Sequence, residues 1–367
     1  MSQYAILTLN DPLNYGNRLQ NYALSKVLRS YGTTSTIQVR RCSYNTKNLV
    51  KRRIKDSLYP FKPIIRNERV SHMRVSHIPA AIRRVQRFRA FESQYLGRPE
   101  YELSGVLGLV GKTEEIGTLV IGSDQVWNYT FLLDPRDLDL MLGNFPGQMD
   151  RVSYAASIGV NGISDEVRDQ LVMGLAGLRS ISVRETEGAD VVEHLTGQRP
   201  AIVLDPTLLL SSADWSSIEE EKTGNDPFIL TYFLGGSTKK ADESISRLAE
   251  KLKIGIRRLN DTSDLLTYAA GPQDFVELFS RATCVFTDSF HACCFSILFN
   301  TPFFVFDRNG FEGTANMNSR MRTLFSQAGI HELPNDFEGF HGFDWEGVNQ
   351  KIADARQKSL SWIGETI

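Results

Sequence analysis

The chain has 367 residues, enough for two domains, and its 41% hydrophobic and 23% charged content is that of an ordinary globular protein, excluding disorder, collagen and coiled coil. Lys plus Arg number 41 against 43 Asp plus Glu, a net charge of −2 that gives no reason to expect a nucleic acid partner. Four cysteines (Cys42, Cys284, Cys293, Cys294) are too few for a disulfide scaffold, and three lie in or beside apolar runs. No window approaches the roughly 18 apolar residues of a membrane span. Met-Ser-Gln-Tyr leads straight into a strand-like run, so the expectation is a cytoplasmic protein.

Tyr4 to Leu9 reads as the first strand. The polar loop 10–17 follows, then a helix carrying Leu19, Ala23 and Val27 on one side and stopped by Gly32. Strand-like runs recur at 36–39, 119–122, 152–156, 181–184, 202–204, 228–233, 254–259, 284–287 and 303–306. Helical patterns separate them at 165–178, 185–195, 239–251, 273–280, 291–299 and 319–328. Most of the strand runs are continuously apolar, as in parallel strands covered on both faces. The alternation predicts an α/β protein of two Rossmann-like, doubly wound domains. A polar stretch at 211–226 marks the boundary, giving domains of 1–215 and 216–340, with a C-terminal helix in 341–367 that crosses back to the first.

Residues 51–100 depart from the pattern, with 13 Lys or Arg against four acids. That local excess of +9 leaves −11 for the rest of the chain. Within this basic insertion (about 45–100), Ile82, Val85, Phe88 and Phe91 form an apolar stripe on a helix. Three readings fit: a surface that rests on an anionic membrane, one that holds an acidic or diphosphate-linked acceptor, or a solvated helix that covers a sheet edge.

Ligands of open α/β sheets sit beyond the carboxyl ends of the strands. After the first strand, Asn14-Tyr15-Gly16-Asn17 opens a helix whose free amides suit an anion, although the same residues serve as a helix cap. After the third comes Ser123-Asp124-Gln125-Val126-Trp127-Asn128, where Trp127 and Asn128 suit a sugar face and a sugar hydroxyl. Three roles fit Asp124: a base, a group that orients a hydroxyl, or a cap. Arg184 ends a strand beside Glu185, with which it pairs unless it holds an anion. Asp205-Pro206-Thr207 reads as a structural turn. The strongest site is Asp288-Ser289-Phe290-His291, in which His291 begins a helix and suits general acid catalysis. Arg320, near another helix start, is either rationalised by an anionic ligand or a bare surface arginine. No His or Cys spacing fits a metal site.

Taken in order, Asn14-Tyr15-Gly16-Asn17, Gly122 to Asn128, Tyr154-Ala155-Ala156-Ser157, Val183-Arg184-Glu185, Asp205-Pro206-Thr207 and Thr287 to His291 resemble the polysaccharide pyruvyl transferase family. The resemblance runs from about residue 4 to 330 and leaves out the basic insertion and the C-terminus. It implies a GT-B-like fold, with the acceptor on the N-terminal domain and the donor on the C-terminal one. It also implies transfer of pyruvate from phosphoenolpyruvate to two hydroxyls of a sugar, forming a cyclic ketal without a cofactor. The acceptor would be a bacterial surface polysaccharide or exopolysaccharide, its lipid-linked precursor, or a glycan terminus. His291 matches the family's histidine as the acid, and Asp124 has the position of a base.

In one place the sequence departs from the family. Members carry Arg-x-His at the last turn, and here Ser289 takes the arginine's place. Loss of a guanidinium clamp is not conservative. Either Arg320 or Arg184 supplies the charge, or the donor differs. The alternatives are a GT-B glycosyltransferase using a nucleotide sugar and a non-catalytic glycan-binding relative.

Overall fold

The computed structural model describes residues 3–40, 75–97, 99–111 apart from 105–107, 113–131, 135–160, 162–219, 224, 226–308, 316–331 and 342–367. Among the described residues, twelve strands form two sheets. The first holds β1 (Gln3–Leu7), β2 (Thr33–Arg40), β3 (Tyr101–Ser104), β4 (Gly108–Val110), β5 (Thr118–Ile121), β6 (Asp150–Ala156), β7 (Ser180–Val183) and β8 (Ala201–Ile202). Their order is β4-β3-β2-β1-β5-β6-β7-β8, parallel throughout except where β4 runs against β3. The second holds β9 (Phe228–Tyr232), β10 (Gly255–Leu259), β11 (Cys284–Thr287) and β12 (Phe303–Val305), all parallel, in the order β10-β9-β11-β12. Strand order reverses between β1 and β5 in one sheet and between β9 and β11 in the other, so each has a switch point. Both sheets are doubly wound, as the alternation predicts. The edge strands β3 and β4 were not legible, because their runs are only four and three residues long.

Among the described residues there are twelve α-helices: α1 (Tyr15–Leu28), α2 (Ile78–Phe91), α3 (Pro135–Met141), α4 (Asp165–Ala176), α5 (Thr186–Thr196), α6 (Ser212–Ser216), α7 (Lys239–Leu252), α8 (Leu265–Tyr268), α9 (Pro272–Arg281), α10 (Phe290–Leu298), α11 (Asn316–Ala328) and α12 (Trp345–Thr366). α1 is buried nearly all round, since it lies between the first sheet and the second domain. Leu24 and Leu28 join the core against β1, while Tyr15, Leu19 and Tyr22 join a core shared with α9, α10 and α11. α12 packs on both: Val348 and Ile352 enter the shared core, and Ile363 lies under the first sheet. Ser359 Oγ accepts the Leu204 amide at 3.0 Å, tying α12 to the strand end before Asp205.

The basic helix differs from its sequence reading. Ala81, Arg84, Val85, Phe88 and Phe91 are buried, whereas Ile82 is 40% exposed. Phe88 and Phe91 are part of the shared core, so this face is filled by protein and is not free for a membrane. Arg84 bridges the two halves of the chain. Its guanidinium donates to the carbonyls of Leu13 (3.4 Å) and Tyr268 (3.2 Å) and to Asn260 Oδ1 (3.2 Å), 4.8 Å from the centre of the Tyr15 ring. Residues 41–74, which include the first part of the insertion, lie outside the described residues. Among the described residues no helix is long and apolar enough to cross a membrane.

Candidate active site between the two sheets

The loop after β5 is locked from beneath by neutral hydrogen bonds. Thr8 Oγ1 donates to the Ser123 carbonyl (3.0 Å), Gln20 Nε2 donates to Thr8 Oγ1 (2.9 Å), and the Ser123 amide donates to Gln20 Oε1 (3.3 Å). Asp124 follows in the left-handed region at φ 68°, which turns its carboxylate toward the sheet's carboxyl edge. One carboxylate oxygen accepts from Asn17 Nδ2 and the other from Arg184 Nη2 at 2.8 Å. Arg184 Nη1 donates to Asp205 Oδ2 at 2.9 Å, and Glu185 Oε2 lies 3.7 Å from Arg184 Nε. The guanidinium also lies 4.5 Å from the centre of the Phe290 ring, on the second domain.

These charges set one another. Burial alone would raise the Asp124 carboxyl, but Arg184, then His291 and Arg320, bring it below its ordinary value. Asp205 is likewise held well below the usual carboxylate range, against burial, by His291 and Arg184. Burial would strip the Arg184 proton, yet Asp124 and Asp205 hold it more firmly than usual. Glu185, the most weakly compensated of the three acids, is raised by burial.

In the second domain, the residues after β11 serve two purposes. Asp288 accepts the Leu234 amide (2.7 Å) and the Gly235 amide (2.9 Å), closing the loop after β9, and its Oδ2 lies 3.4 Å from Arg308 Nε. Thr287 Oγ1 donates to the Tyr232 carbonyl (2.6 Å) and accepts the Ser289 amide (3.0 Å), fixing the turn that starts α10. His291 is the second residue of that helix and 8% exposed. Its Nε2 lies 3.7 Å from Asp205 Oδ2 across the junction and makes no hydrogen bond among the described residues. The other edge of the ring is pressed on Gly16, where a Cβ would overlap Nδ1, so only glycine admits the ring there.

Arg320, on α11, is 7% exposed and makes no hydrogen bond or ion pair among the described residues; its Nε is fully enclosed. Burial and the neighbouring Arg184 lower it to about 10, with Asp124 and Glu185 acting the other way. α11 is fastened to the start of α5 by the Thr186 amide, which donates to Thr323 Oγ1 (3.1 Å), and by the Arg322–Glu187 pair (2.8 Å). A helix of the second domain thus carries to the carboxyl edge of the first sheet a guanidinium with no direct partner among the described residues.

The structure brings Asn17, Ser123, Asp124, Arg184, His291 and Arg320 to one junction. Two of the residues read from the sequence are corrected outright. Trp127 is wholly buried with its indole N–H donating to the Met141 carbonyl (3.2 Å), so it offers no face to a sugar. Tyr15 is wholly buried among Phe88, Tyr232 and Phe275, and its hydroxyl donates to the Ala270 carbonyl (2.7 Å); it holds the domains together. Others are spent locally. Asn14 caps α1 by accepting the Asn17 amide (3.2 Å), and Asn128 Oδ1 accepts the Thr130 amide (3.1 Å). Asn128 Nδ2 donates to Gln125 Oε1 (2.8 Å), which leaves Gln125 the partly exposed member of that loop. Asp288 is taken up by the β9 loop, as above. Asp205 was missed: its Pro-Thr sequel signals a turn, and nothing local shows that the carboxylate meets His291, 86 residues on.

The sequence profile of the polysaccharide pyruvyl transferase family matches residues 14–310. The chain belongs to that family. As a family member it is a transferase of polysaccharide biosynthesis. No curated protein matches it in sequence. In fold it is similar to Staphylococcus aureus MnaA with UDP, at 10% identity and TM-score 0.47, over 96% of this chain and 88% of that one. A UDP-GlcNAc 2-epimerase from Methanocaldococcus jannaschii aligns at 12% identity and TM-score 0.40, over 96% and 92%. Medicago truncatula UGT71G1 with UDP-glucose aligns at 10% identity and TM-score 0.39, over 99% and 93%.

Proposed function

We propose that the protein moves pyruvate from phosphoenolpyruvate to two hydroxyls of a sugar, as a ketal. The observation that carries this reading is the buried Arg320 guanidinium, without a partner among the described residues, at the junction that also holds His291. A buried cation without a counter-ion costs several kcal/mol, roughly, unless a ligand supplies the charge. The donor brings a carboxylate and a phosphate. Arg184 cannot serve both, since its guanidinium is committed to Asp124 and Asp205. Arg320 therefore takes the place of the family arginine that Ser289 replaces.

The His291 imidazolium gives its proton to the methylene carbon, and the new C–H bond leaves an oxocarbenium-like centre. One sugar hydroxyl adds to it, phosphate departs, and the second hydroxyl closes the ketal. One hydroxyl proton returns to the imidazole and the other leaves with phosphate. Asp124 is not the base for this step. Both its oxygens are engaged and its proton affinity is lowered, so it anchors Arg184 and Asn17. The acceptor, a polysaccharide or its lipid-linked precursor, lies on the first domain beside Gln125, and the donor against the second. Outward Arg83 and Arg89 on α2 remain open to an anionic membrane surface, although the apolar face of that helix does not. The nucleotide-sugar alternative is disfavoured by Asp288, whose carboxylate occupies the two amides that open the β9 loop and places negative charge where a diphosphate would sit.

Thermal shifts with phosphoenolpyruvate, UDP, CDP and GDP test the reading directly. A ligand at a hundred times its Kd stabilises by about 2.7 kcal/mol. Phosphoenolpyruvate should shift the wild type and release phosphate once a glycan acceptor is added. A shift with a nucleoside diphosphate alone overturns the assignment.

A further inference from the structure

We propose that Asp205 is a positioning residue for His291, its junction-facing oxygen holding the ring aimed across the junction. The proposal rests on the pyruvyl-transfer reading for its purpose, but its physical content is independent of the donor.

The sequence around Asp205 builds a one-directional carboxylate. Pro206 opens a short 3-10 turn, Pro206–Leu209, which Asp205 caps. Oδ1 accepts both the Thr207 amide (3.0 Å) and the Thr207 hydroxyl (2.8 Å), so it is consumed by its own turn. Oδ2 is left to face the junction, where it accepts from Ser123 Oγ (3.2 Å) and Arg184 Nη1 (2.9 Å) and lies 3.7 Å from His291 Nε2. The carboxylate is fully enclosed, so water does not screen the pair. Gly16 closes the opposite edge of the ring, and Phe290 meets it edge-on at 5.4 Å.

The charges around the ring come from several elements. From the first domain, Asp205 and Asp124 favour a charged imidazole, and Arg184 opposes it. Arg320 on α11 and the positive start of α10 oppose it too. Arg184 is largely neutralised by its carboxylates, which leaves Asp205 as the nearest group able to offset the helix end and Arg320. The coupling is reciprocal: the ring's charge that lowers Asp205 is stabilised by Asp205 to the same extent.

The test is Asp205→Asn in the full chain, with the His291 ring followed by NMR in histidine-labelled protein and assigned with His291→Gln. The ring's titration midpoint should move to lower pH by about one pH unit. The alkaline limb of phosphate release should move by the same amount, a change that mere loosening of the turn would not produce. Ser123→Ala, which removes a hydrogen bond from the same oxygen but no charge, should leave the midpoint in place. An unchanged midpoint in Asp205→Asn overturns the proposal, as does an equal shift in Ser123→Ala. If Asp205→Asn does not fold, the wild type decides: the Asp205 carboxyl carbon must show a step at the His291 midpoint, and a flat trace refutes the pairing. Should phosphoenolpyruvate prove inert while the ring still titrates as stated, the donor assignment fails and the Asp205 role stands.

Discussion

The two halves of the junction treat buried charge in opposite ways. At the edge of the first sheet, Arg184 is surrounded by Asp124, Asp205 and Glu185, and its proton is held more firmly than in water. On the second domain, Arg320 is equally buried, has no partner among the described residues, and is lowered to about 10. The first arrangement is finished without a ligand and gives rigidity. The second is a cost to the folded protein that, on the proposed reading, an anion removes, which is how a binding group differs from a structural one.

The sharpest way to break this comparison is to exchange the fates of the two arginines. Arg184→Gln leaves three enclosed carboxylates without their cation and should cost about 3–5 kcal/mol in urea unfolding. Arg320→Gln should unfold no more easily than wild type, while its stabilisation by phosphoenolpyruvate falls at least about tenfold in apparent affinity. Equal losses of stability from the two would erase the distinction.

Gly16→Ala probes the packing between the halves. Its methyl group overlaps the His291 ring, so a loss of about 1–3 kcal/mol is expected, together with lower turnover at unchanged acceptor KM. Acid unfolding separates the halves by titration. Asp124 and Asp205 titrate below their unfolded values, so the stability they contribute is complete above about pH 4 and drains away as pH falls further. Glu185, raised by burial, works the other way and softens the slope. Asp205→Asn should flatten that acid limb in a pH series of denaturation midpoints. The smallest effect belongs to Trp127→Phe, which leaves the Met141 carbonyl unpaired at about 1 kcal/mol and should leave acceptor use as it was. Loss of acceptor binding there would restore Trp127 to the site.

Much of the fold was readable because parallel strands with both faces covered leave continuous apolar runs, as at 119–121 and 284–287. The site was readable only where a residue's neighbours in sequence are its neighbours in space. His291 follows its strand end directly, whereas Asp205 reaches His291 through the meeting of two domains. Trp127 and Tyr15 misled for a related reason: aromatic residues beside strand ends suit a ligand face or a core equally well, and only packing chooses. The basic helix showed the same ambiguity, and its apolar stripe proved to be the seam between the domains.

By itself the sequence determined the alternation of strand and helix, the places where strands end, and the family, because these follow from local periodicity and from an ordered set of short motifs. The tertiary structure alone decided which charges are paired. Whether a buried arginine is a brace or a binding group depends on which carboxylates lie within a few ångströms of it, and that distance is set by how two separately wound sheets meet.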